Sequence, residues 1–157
     1  MDKSLRKWLS GVLLVTPVLL TSCSLNLSLP EVNESDKAQF VMQTMTTGQQ
    51  AYYQANGKFA NSIQGLSLNA NLDTGEYRYS VNTEGQYAET VLMTAAAKQD
   101  GLPSYAGVVT VSHTAGGVMA IANICKTDQP STEPPALSST PVPGEGLKCP
   151  AGSSPVR

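Results

Sequence analysis

A chain of 157 residues with 41% apolar side chains holds enough material for one core plus accessory segments, which excludes a two-domain machine. A formal charge of −2, with the basic residues scattered, gives no electrostatic footprint for nucleic acid, whose capture depends on neutralising phosphates with Lys and Arg. One histidine and three cysteines also leave little for metal or histidine chemistry.

The N-terminus reads as a targeting segment. Lys3, Arg6 and Lys7 form a positive start and Trp8 to Leu20 is an apolar run of thirteen residues, too short to cross a hydrocarbon core of about 30 Å as a helix. Leu20-Thr21-Ser22-Cys23 resembles the lipobox of bacterial lipoproteins, which implies cleavage after residue 22 and a diacylated Cys23. The remainder then has seven basic against eleven acidic groups, a net charge of −4. Lipid on Cys23 also closes the cysteine count, because Cys125 and Cys149 are left to bond each other in an oxidising compartment. A diacyl cysteine holds a membrane more firmly than a single chain does. Ser24 resembles outer-membrane sorting more than inner-membrane retention. Residues 23–34 are expected to be a tether, with Leu25, Leu27 and Leu29 alternating with polar residues up to Pro30.

Ser35 to Gly57 is the one long stretch with helical periodicity. Ala38, Val41, Met42, Met45, Gln49, Tyr52 and Ala55 recur every three or four residues and predict one stripe that needs a sheet to cover it. Asn33 is the expected N-cap, Glu34 and Asp36 sit where the macrodipole favours negative charge, and Gly57 accepts the positive φ of a C-terminal cap. Phe40 and Tyr53 lie off the stripe and are expected to pack on the flanks of the core.

Beyond Gly57 the period changes to two. Glu76 to Asn82 and Tyr87 to Ala96 predict one hairpin, turning at Thr83 to Gln86; Tyr105 to His113 and Val118 to Cys125 predict a second, turning at Thr114 to Gly117. The fold class expected is α+β in two layers, the N-terminal helix packed on a four-stranded antiparallel sheet over residues 35–126. Residues 127–157 are rich in Pro, Ser and Thr, a composition that does not build a core. A Cys125 to Cys149 disulfide would clip this excursion back, with about 3 kcal/mol of stabilisation from chain entropy.

Gln49-Gln50-Ala51-Tyr52-Tyr53-Gln54-Ala55-Asn56-Gly57-Lys58-Phe59-Ala60, followed by Ile63-Gln64-Gly65-Leu66, resembles the segment after the membrane helix in bacterial type IV pilins and pseudopilins, especially the pilin-like G/H group. Tyr77 to Ser80, the Leu102 to Gly107 turn, Ala122 to Cys125 and the later Cys149-Pro150 are similar to the same group, so the resemblance runs from about Asp36 to Pro150. It implies a non-catalytic pilin-like head and, as partners, components of a pilus or a type II secretion-like assembly. Pilins also carry a cleavable leader ending in Gly, then a Phe, a Glu five residues into the mature chain and an apolar half-helix that anchors and polymerises them. This sequence lacks those features, so it is expected to keep the head on a lipid anchor rather than to enter a pilus as an ordinary subunit.

No motif points to catalysis. His113 falls at a strand end without a G-x-S-x-G elbow, and Glu76, Glu84 and Glu89 flank one hairpin as its solvated face. No cofactor or metal is expected. The alternative to a structural or interaction role is a lipid-anchored ligand-binding or adhesion module, with Tyr52, Tyr53, Tyr77 and Tyr105 as its candidate binding residues.

Overall fold

The computed structural model describes residues 33–68, 72, 75–83, 88–115, 117–137 and 148–156. The expected signal segment, Cys23, most of the expected tether and the turn after Thr83 lie outside these residues.

Helix α1 spans Glu34–Asn56. Asn33 keeps an extended backbone, φ −67° and ψ 158°, and its Oδ1 accepts the Asp36 amide at 2.8 Å. This satisfies one of the orphan donors of the first turn. At the other end Gly57 adopts φ 65° and donates its amide to the Tyr53 carbonyl at 2.8 Å, a left-handed conformation that costs glycine nothing. Ala38, Met42, Met45 and Gln49 of the expected stripe are buried, together with Thr46. The stripe fails at its end, where Ala55 is exposed and Tyr53 packs against the core. At roughly 100° per residue, Ala55 has turned about 100° away from Ala38. Phe40, about 200° round by the same geometry, is 69% exposed instead of packing on a flank.

Five strands follow: β1 Tyr77–Thr83, β2 Thr90–Ala97, β3 Tyr105–Thr114, β4 Gly117–Thr127 and β5 Ser153–Pro155. All pair antiparallel and their order in the sheet is their order in the chain. The four-stranded expectation is corrected by β5, which pairs with Cys125, Lys126 and Thr127. Three residues with a terminal proline carry no alternation from which a strand can be read. Val156, just after it, packs against the core and donates its amide to Ile124 at 2.9 Å. The C-terminal segment therefore contributes to the domain despite its composition.

Alternation decides which face of the sheet meets α1. Val91, Met93, Ala95 and Ala97 of β2 are buried while the residues between them are half-buried. Register sets Met93 beside Gly107 and Gly107 beside Ile124. Gly107 marks the closest approach of helix and sheet: a Cβ there would stand 3.1 Å from Met42 Cε and 3.5 Å from Thr46 Oγ1. The missing side chain lets the two methionines, Met42 and Met93, fill the layer between helix and sheet. The central strand β3 is buried on both faces from Tyr105 to Val111.

Candidate interaction surfaces

The four tyrosines singled out from the sequence fall in two places. Tyr77 and Tyr105 are fully buried, their ring centroids 6.0 Å apart and tilted by 57°, and Tyr79 lies 6.3 Å from Tyr77. The Tyr77 hydroxyl donates to the Pro103 carbonyl at 2.9 Å. The Tyr105 hydroxyl donates to the Ser35 carbonyl at 3.0 Å and shares a hydrogen bond with Ser35 Oγ at 2.6 Å. These rings tie the start of α1 to the sheet. Tyr52 and Tyr53 sit near the other end of α1, about 27 Å along the axis from Ser35, where Tyr53 packs on Phe59 with centroids 4.8 Å apart. No common patch joins the two pairs.

Burial is the leading cause that pushes all three clustered hydroxyls up: Tyr79 to about 12, helped by the nearby Glu34 carboxylate, Tyr77 higher still, and Tyr105 in the same direction against the opposing Ser35 hydrogen bond. A phenol held neutral in the folded state above its unfolded value near 10 stabilises the fold fully below that pH. As pH climbs from about 10 towards the folded values, the unfolded chain ionises first, so stability is lost. Denaturant midpoints measured across the alkaline range are therefore expected to hold to about pH 10 and then fall, and Tyr79→Phe is expected to flatten that decline.

Polar side chains hold the remaining joints. Gln49 is buried and clamps the backbone of Ala60 from both sides, Nε2 donating to its carbonyl at 2.9 Å and Oε1 accepting its amide at 3.0 Å. Gln50 donates to the Ala120 carbonyl at 2.8 Å and links α1 to β4. Ser104, also buried, accepts the Ala97 amide on its Oγ at 2.9 Å and donates to the Ser131 carbonyl, while its own amide reaches Thr127 Oγ1 at 3.0 Å. Thus the start of the Pro-rich segment is fastened to the end of the sheet. Sequence reasoning placed Gln49 on the apolar stripe but gave it no role, although a polar amide among Ala, Met and Met is itself the signal of a buried hydrogen-bonding task. Ser104, in a short loop, offers no comparable signal.

Cys125 and Cys149 form a disulfide, with Cα atoms 5.6 Å apart and a sequence separation of 24. The bond closes the C-terminal excursion onto β4 just before β5 begins.

Two surfaces present apolar groups. On the outer side of α1, Phe40, Gln43, Thr44, Thr47, Gly48, Ala51 and Leu68 line an open groove of about 470 Å³. At the start of β4, Val118 and Met119 are 56% and 54% exposed. His113 stands opposite Val118 and faces the Glu89 carboxylate at 3.5 Å, both side chains largely in solvent. Among the described residues no cluster of His, Cys, Asp or Glu is arranged to hold a metal ion, and no helix is long and apolar enough to cross a membrane.

The model of the family described as type IV pilin-like G and H matches residues 35–150, from the first turn of α1 to the residue after Cys149. No curated protein and no solved structure matches the chain. The family is one of structural components associated with pili or secretion assemblies of the cell envelope. The matched region contains α1 from its second residue, β1 to β4 and both bonded cysteines, with only β5 beyond its end: this chain belongs to the type IV pilin-like G and H family.

Proposed function

We propose that this protein is a non-catalytic, lipid-anchored envelope component that presents a pilin-like head to a pilus or a related secretion assembly. The family match over residues 35–150 carries the association with such assemblies. The anchor is supported by the cysteine pairing: Cys125 and Cys149 hold each other, which leaves Cys23, directly after Leu20-Thr21-Ser22, as the remaining thiol of three. The cap at Asn33 starts α1 afresh at Glu34, so the head has a defined beginning to which a tether can attach. Ser24 favours the outer membrane as the site of the anchor. The exposed His113 and the solvated carboxylate beside it are read as surface groups with no catalytic task.

The groove beside Phe40 favours a second reading, a ligand-binding or adhesion module held on the same lipid. Crosslinking in cells followed by mass spectrometry, on wild type and Cys23→Ala, separates the two. Pilus or secretion components are expected among the wild-type crosslinks, and their complete absence would sink the first reading. Cys23→Ala is expected to leave the membrane fraction; its retention there would remove the anchor from the proposal.

A further inference from the structure

We propose that two copies of this protein pair through the outer edge of β4, antiparallel about a dyad at Ala120, to make one continuous ten-stranded sheet. β5 covers β4 only at Cys125, Lys126 and Thr127. Among the described residues no strand lies beside β4 from 117 to 123. The carbonyls of Ala120 and Ile124 accept from Gln50 and from the Val156 amide, so they face away from β3. Backbone direction alternates along an antiparallel strand, and Val118, Ala120 and Ala122 therefore turn their hydrogen-bonding groups to the same rim. The Ala120 carbonyl keeps a second lone pair beside Gln50 for a ladder bond.

A second copy fits this rim for three reasons. Gly117 to Cys125 contains no charged residue and no proline, the devices by which sheet edges normally repel their own kind. The other edge strand, β1, carries exposed Arg78. A dyad at Ala120 sets Met119 against Ile121 of the other copy and Val118 against Ala122, twice each, so every central cross-strand pair is apolar and the most exposed side chains of the strand are covered. Finally, the register ends where it must: Gly117 falls opposite Asn123, and the next step would meet Ile124, whose carbonyl already holds the Val156 amide. A two-fold axis makes the contact self-limiting, a dimer rather than a filament. The inference rests on the described head and is independent of the lipid on Cys23.

The test is the mass of the full chain in detergent by light scattering over a concentration series, with Met119→Lys, Ala122→Pro and Ala120→Cys alongside. Wild type is expected to pass from one copy to two. Met119→Lys should weaken that step by about tenfold and Ala122→Pro, which removes an outward amide, should abolish it, with thermal unfolding of Met119→Lys unchanged. Under mild oxidation Ala120→Cys should form an intermolecular disulfide, because paired Cα atoms in a hydrogen-bonded position lie about 5.5 Å apart; Arg78→Cys should not. Wild type that stays a single copy at high concentration, or dimers untouched by Met119→Lys, would overturn the pairing. So would a photocrosslinker at Val118 that captures in cells only a different polypeptide.

Discussion

Replacing Gln49 with Leu is expected to lower the unfolding free energy by about 4 kcal/mol, because each buried backbone group left without a partner costs about 1–3 kcal/mol and the substitution orphans two on Ala60. Leucine is of similar bulk and adds apolar area, so an account based on burial alone would predict a gain. The hydrogen bonds at 2.9 and 3.0 Å decide the sign. Gln49→Glu sharpens the point, since a carboxylate accepts the Ala60 amide but cannot donate to its carbonyl. Urea denaturation of the three proteins gives the answer: a loss under about 1 kcal/mol for Gln49→Leu would mean that Ala60 finds other partners. For a domain whose whole stability is about 5–15 kcal/mol, the expected loss is a large share.

Removing the disulfide by Cys125→Ala with Cys149→Ala should cost about 3.5 kcal/mol, the chain-entropy value for a loop closed at a separation of 24. The loss has a place as well as a size. β5 is three residues long and is held by its ladder to β4, by the Val156 to Ile124 bond and by the nearby clip. Without the clip the Val156 amide should exchange with solvent much faster, while amides of β2 and β3 slow or quicken only with global stability. Equal acceleration everywhere would show that β5 does not open separately.

The helix caps were legible because their chemistry is local. Asn33 and Gly57 are the residue types those backbone angles demand, and α1 begins and ends within one residue of the expectation. Strands β1 to β4 were legible through alternation, and their edges moved by no more than three residues. What could not be read depends on distant partners. β5 exists because β4 offers it a ladder, not because Ser153-Ser154-Pro155 favours extension. Tyr77 and Tyr105 looked like surface aromatics because tyrosine suits both a rim and a core, and only the position of Ser35 and Pro103 shows that their hydroxyls are satisfied inside. The β4 rim escaped notice for a related reason: a sequence marks a strand but not whether a neighbour lies on both its sides. The resemblance to the pilin-like G and H family, by contrast, rests on contiguous residues around the end of α1, and the family match begins and ends within a residue of the span it suggested.

The meander order of the strands has a consequence in time. Every strand meets its predecessor in the chain, so the sheet can zip up from neighbouring segments, a topology that folds quickly. The helix is different: Ser35 waits for Tyr105 and Gln50 for Ala120, in each case 70 residues later. At synthesis rates of about 5–20 residues per second that interval lasts about 4–14 s, during which the methionines of α1 have at most the β1–β2 hairpin to cover them. The first helix of such a head is therefore the element that stays uncovered longest while the chain is made.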